Sequence, residues 1–154
     1  MRQILSIGEL IEAYSPDLLH TNLGSCVSVV FYNQRMKFGS MSHYQLPRKI
    51  ESSKKSSYEL THSHYVYQGL ETQIKRFRHK AENIDFCGVY GGCSPINLNK
   101  DITLVNESNL NETYKILKDN DIKINQSVVN LKNSLIIELD CSNGKLDCKK
   151  LGSY

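Results

Sequence analysis

Residues 26–32, CVSVVFY, constrain the fold more than any other stretch of this chain. Their β-branched and aromatic side chains suit a buried strand. Asn33-Gln34-Arg35 then reads as a turn and Lys37 to Leu46 as the returning strand, so the pair predicts a hairpin. Upstream, Arg2 to Ile7 is a short apolar strand closed by Gly8, and Ser15-Pro16-Asp17 is a turn signal. Downstream, Val66, Leu70, Ile74 and Phe77 recur at i, i+4, i+8 and i+11, which puts four apolar side chains on one helix face. Gly69 inside that helix weakens it or permits close packing. Ile84 to Tyr90 is a second strong strand that ends at Gly91-Gly92. A further helix is predicted from Ser108 to Asp119, with Leu110, Tyr114 and Leu117 on one stripe. Ile122 to Val129, Leu135 to Leu139 and Lys145 to Lys149 read as closing strands, with Asn143-Gly144 a type I′ hairpin signal between the last two. Three or four strands, a helix, a strand, a helix and then strands predict an α/β sheet with helices packed on it, not an alternating doubly wound fold.

A length of 154 residues favours one domain, 1–154, around a single core. The net charge of +3 is spread along the chain apart from Lys54-Lys55 and the Lys75-to-Lys80 stretch, which reads as the polar side of the first helix. Nucleic-acid binding leaves a denser basic footprint, so no nucleic-acid partner is expected. No run approaches the roughly 18 apolar residues of a membrane span, and Glu9, Glu12 and Asp17 interrupt any signal-like start. These features predict a cytoplasmic protein without membrane insertion. Five cysteines, an odd number without a CxxC pair, fit reduced thiols better than a disulfide framework or a structural zinc site.

Cys26 stands at the start of the buried strand, directly after Gly24-Ser25. A tight turn there presents the sulfur and aims backbone N–H groups at a developing oxyanion. The plainer reading is a small core residue. His43 lies on the returning strand, sharing a face with Met41, so a hairpin brings it beside Cys26. It is either a hydrogen-bonded core histidine or the base of a Cys/His pair. A free thiol with a pKa near 8.5 is only slightly ionised at neutral pH, and a neighbouring imidazole can generate the thiolate. His62 and His64 could be metal ligands at i, i+2 but lack acidic company, so no metal is expected. His79 reads as a solvated helix residue. Cys87 and Cys93, flanking Gly91-Gly92, read as packing residues, and Cys141 and Cys148 bracket the last hairpin.

Gly8-Glu9, the segment TNLGSCVSVVFY, and GSMSHYQLP from Gly39 to Pro47 resemble the CheD chemoreceptor glutamine deamidases, whose pattern is an N-terminal GE, a T-x-x-GSCV turn and a G-x-M-x-H-x-x-LP strand. Tyr65 to Phe77, Cys87 to Cys93 and Asn109 extend the likeness more loosely. The resemblance implies a three-layer α/β sandwich with two main helices. It also implies hydrolysis of glutamine carboxamides in methyl-accepting chemotaxis receptors, with Cys26 as nucleophile, His43 as base and Thr21 orienting His43. Gly24 and Ser25 then form the oxyanion turn, and no cofactor is needed. Receptor cytoplasmic domains are the implied partners. A CheC-type phosphatase is a further one, which leaves open a binding module with weak or no catalysis. His20, next to Thr21, is an alternative for its role, and the plainer reading of Thr21 is an ordinary strand-end residue. Asn130 to Leu135 and Cys93-Ser94-Pro95-Ile96 depart from the family pattern, which bears on the docking surface and not on the chemistry.

Overall fold

The computed structural model describes residues 1–49, 61–93 and 100–151, the last segment with side chains from residue 104 onward. Its elements run β1 (Arg2–Ile4), β2 (Leu10–Tyr14), β3 (Leu18–Leu23), β4 (Val27–Asn33), β5 (Phe38–Ser42), α1 (Val66–Lys80), β6 (Phe86–Gly91), α2 (Lys100–Asp119), β7 (Gln126–Val129), β8 (Ser134–Asp140) and β9 (Lys145–Leu151). The strands form two mixed sheets, ordered β2-β5-β4-β6-β7 and β1-β3-β8-β9. Both helices cover one face of the five-stranded sheet, and the four-stranded sheet covers the other. This is the three-layer α/β sandwich that the family resemblance implies.

All seven residues of β4 are buried. Because strand side chains alternate, Val27, Val29 and Phe31 enter the helix-side core with Leu70, Ile74 and Phe77. Val30 and Tyr32 enter the inter-sheet core with Leu19, Leu23 and Leu135. The predicted stripe Val66, Leu70, Ile74 and Phe77 is buried throughout. Gly69 is there for close packing: a Cβ would sit 2.5 Å from the Tyr44 ring. On the outer side of α1, Arg76 and Lys80 reach the buried Glu12 carboxylate on β2 at 2.8 and 3.3 Å.

The structure departs from the sequence reading in four places. Five strands, not three or four, precede α1, because β2 and β3 also form. Their sequences, LIEAY and LLHTNL, carry few β-branched residues, and partners decide them: β2 pairs with β5 and β3 with β8, which is 112 or more residues away at every register position. The strands also split into two sheets. The second helix starts at Lys100, not Ser108. Its first half holds poor helix formers, yet Asn106 Nδ2 donates to the Cys93 carbonyl and Asn109 Nδ2 to the Gln45 carbonyl, at 2.9 and 3.0 Å, so tertiary bonds hold it. The β8–β9 hairpin is present, but Asn143 lacks the positive φ of a type I′ turn, and a four-residue loop, 141–144, closes it with Gly144 at φ 76°. Of the polar loop expected over Pro47 to Ser57, only residues 47–49 are among those described; Lys54-Lys55 and Ser94-Pro95-Ile96 lie outside them.

Candidate active site

The turn Gly24-Ser25-Cys26 joins β3 of one sheet to β4 of the other, so Cys26 stands where the two sheets part. Two bonds from the end of β6 hold it. Gly92 N–H donates to the Cys26 carbonyl, and Cys93 N–H donates to the Gly24 carbonyl, both at 2.9 Å. Gly91, at φ 109°, runs so near that a Cβ would overlap the Cys26 carbonyl oxygen. Glycine is therefore required at 91, where the approach is close and φ positive. It is not required at 24, where a Cβ would meet only Ser134 Oγ at 3.9 Å. Among the described residues no acceptor takes the N–H groups of Ser25 and Cys26.

His43 follows β5. Val27 and Tyr44 exchange N–H···O bonds of 2.9 and 2.8 Å, which fixes the register on both sides of the site. Cys26 and His43 are thereby one diagonal step apart on the face turned to the four-stranded sheet, about 7–8 Å between backbones. The Gly8-Glu9 dipeptide grips His43 from the other side: Gly8 N–H donates to the His43 carbonyl at 2.8 Å, and His43 N–H to the Glu9 carbonyl at 3.1 Å.

Thr21 reaches His43 across the two sheets. Its hydroxyl donates to the Leu5 carbonyl at 2.9 Å and lies 2.7 Å from His43 Nδ1. With its one hydrogen committed to Leu5, Oγ1 accepts from Nδ1–H. The neutral imidazole is therefore the Nδ1–H tautomer, and its lone pair is on Nε2. His20 is elsewhere: its ring faces Glu138 and Arg2 at 3.1 Å on the outer side of the four-stranded sheet. Thr21 is fully buried, and Cys26 and His43 are 6% and 4% exposed.

Cys26 and His43 line one open cleft of about 650 Å3, together with Ile4, Leu5, Ile7 and Asn22, without a hydrogen bond between them. Burial pushes the Cys26 thiol up to about 11. Burial pulls His43 down to about 4, with the Glu9 carboxylate opposing this and His64 adding to it. The resting pair is therefore a neutral thiol and a neutral imidazole.

The remaining predicted residues fall outside the cleft. The His64 ring lies against Gly8, and its Nδ1 accepts from Thr61 N–H at 3.1 Å. His79 is exposed, and Cys87 and Cys93 are buried in different cores. All five cysteines are free. Sequence reading missed what the Gly91-Gly92 doublet does, although the doublet itself was visible. It also missed Leu5, which acts through its carbonyl and leaves no side-chain signal.

Fold and cleft together define an α/β sandwich with a buried cysteine and a threonine-held histidine where its two sheets part. No family model matches the chain. It is 27% identical over 153 residues to a protein of Sulfurimonas denitrificans named probable chemoreceptor glutamine deamidase CheD, covering 96% of this chain and 93% of that one. It is 23% identical over 146 residues to a protein of the same name from Methanococcus vannielii, covering 95% and 93%. A third, from Nitratidesulfovibrio vulgaris, is 34% identical over 95 residues, or 60% of this chain and 46% of that one. Over nearly its whole length the chain is thus similar to proteins named as probable CheD chemoreceptor glutamine deamidases. No helix among the described residues is long and apolar enough to cross a membrane.

Proposed function

We propose that this chain deamidates glutamine side chains of methyl-accepting chemotaxis receptors, with Cys26 as nucleophile and His43 as general base and acid. The observation that carries this reading is the Thr21–His43 bond, which leaves Nε2 unprotonated in a cleft that also holds the Cys26 sulfur. As Sγ attacks the carboxamide carbon, Nε2 takes the thiol proton. Negative charge on the former carbonyl oxygen meets the N–H groups of Ser25 and Cys26. Nε2 passes its proton to the leaving nitrogen, the C–N bond breaks, and ammonia departs from a thioester. Water, deprotonated by Nε2, then attacks the thioester, releasing glutamate and returning the proton to sulfur. Because burial holds both partners neutral, proton transfer accompanies attack and no preformed thiolate is required.

The direct test is incubation with a receptor cytoplasmic domain and a search by mass spectrometry for gains of about 1 Da at single glutamines, hydrolysis having replaced NH2 by OH. Gains with wild type and none with Cys26→Ala are expected. Identical spectra from both, on a receptor fragment that binds the protein, overturn the reading. The departure of Asn130 to Leu135 from the family pattern favours one second reading, a binding module with weak or no catalysis whose partners are receptors or a CheC-type phosphatase. Stable association with either and no mass change would establish it.

A further inference from the structure

The cleft is lined by unlike groups. Asn22 and Ser25 are polar, and the Ser25 and Cys26 N–H groups have no acceptor among the described residues. The segment from Ile4 to Ile7 is apolar at three of its four positions: Ile4 is 64% and Ile7 46% exposed, and Leu5 is buried. A single exposed isoleucine is ordinary. Two of them at the mouth of the cleft that holds Cys26 and His43 have a geometric consequence.

A protein glutamine arrives attached to a polypeptide, so its neighbours are carried over the rim when its carboxamide reaches Sγ. At about 650 Å3 the cleft exceeds what one carboxamide fills and has room for a flanking side chain. The isoleucines are presented on a held backbone. Leu5 N–H donates to the His20 carbonyl at 2.8 Å, Leu5 accepts from Thr21, and Ser6 N–H donates to Glu9 Oε1 at 2.8 Å. Such a segment contacts a substrate without first having to be ordered.

We propose that Ile4 and Ile7 are specificity-determining residues, which cover an apolar side chain of the substrate polypeptide next to the target glutamine. The inference rests on the deamidase reading. Its test takes Ile4→Ser and Ile7→Ser in the full chain against a receptor cytoplasmic domain, with deamidation kinetics and iodoacetamide alkylation of Cys26 measured in parallel. Each variant should raise KM about tenfold with kcat little altered, the signature of lost ground-state contact, and Cys26 should alkylate at the wild-type rate. KM within twofold of wild type in both variants overturns the proposal. So does alkylation that changes in step with KM, since the loop would then act by displacing the Cys/His pair. If wild type itself leaves every glutamine unchanged, the deamidase reading falls and this inference falls with it, an outcome distinct from the other two.

Discussion

Thr21→Val removes one hydroxyl and nearly preserves shape, which makes it the sharpest probe of the site. The hydroxyl serves two buried groups, the Leu5 carbonyl at 2.9 Å and His43 Nδ1 at 2.7 Å. Each buried polar group left without a partner costs about 1–3 kcal/mol, so the variant, with the Leu5 carbonyl and Nδ1–H both orphaned, should lose about 2–6 kcal/mol of stability. The catalytic loss has a separate origin. Without an acceptor at Nδ1, the proton is free to reside on Nε2, and the base presented to Cys26 is lost in that fraction of molecules. The ring also loses its anchor across the two sheets, and misplacements on that scale cost on the order of 100-fold in rate. The predicted outcome is kcat reduced about 10- to 100-fold with KM little changed, and a nitrogen NMR spectrum of His43 shifted from the Nδ1–H tautomer toward Nε2–H. Thr21→Ser restores the oxygen and should recover most of kcat, although it opens a methyl-sized gap. A folded Thr21→Val protein with wild-type kcat would refute the reasoning, because Nε2 would then need no help from Thr21. A Ser variant as slow as Val would refute it equally, by showing that the methyl group and not the hydroxyl matters.

Other outcomes follow from neighbouring features. An unfolded imidazole takes up a proton near its ordinary 6.5, but buried His43 not until about 4, so the unfolded state binds the extra proton first and stability falls as pH drops through that window. The loss is roughly 3 kcal/mol by pH 4 at about 1.4 kcal/mol per unit. Urea midpoints at pH 7 and 4.5 should therefore converge in His43→Gln relative to wild type, and equal acid losses in both would exclude His43 as the source. Gly91→Ala should lose several kcal/mol, about 2–4, in a thermal melt, along with Cys26 alkylation at its native rate, because the methyl meets a fixed backbone carbonyl at an unfavourable φ. Gly69→Ala sets a helix-propensity gain of about 1 kcal/mol against 1–3 kcal/mol of overpacking on Tyr44, a buried ring hydrogen-bonded to Gln73 at 2.7 Å. A net drop in melting temperature is expected, and a rise would mean that the ring yields.

The parts of the fold that were legible in sequence are those where local pattern and tertiary burial agree. CVSVVFY has both high β-propensity and full burial, and the α1 stripe has the helical period on the face that is covered. β3 was missed because nothing local marks LLHTNL as a strand; its neighbours β1 and β8 do, one from the chain's start and one from its end. The site followed the same division. Cys26 and His43 were visible from a turn and a hairpin, both local features. Thr21 was assigned only through family resemblance, since its contact with His43 crosses between sheets whose separation the sequence does not display. Leu5 and the glycine doublet contribute backbone geometry, to which residue type gives only indirect clues.

The burial of β4 on both faces also bears on how this protein can change. Every residue from Val27 to Asn33 is committed to packing, so substitutions that accumulate on the surface do not reach the strand that aims Cys26. The turn ahead of it is tied to β6 by backbone bonds that no side-chain replacement, glycine positions aside, removes. Surface positions can therefore vary while the turn that holds Cys26 stays insulated behind two cores.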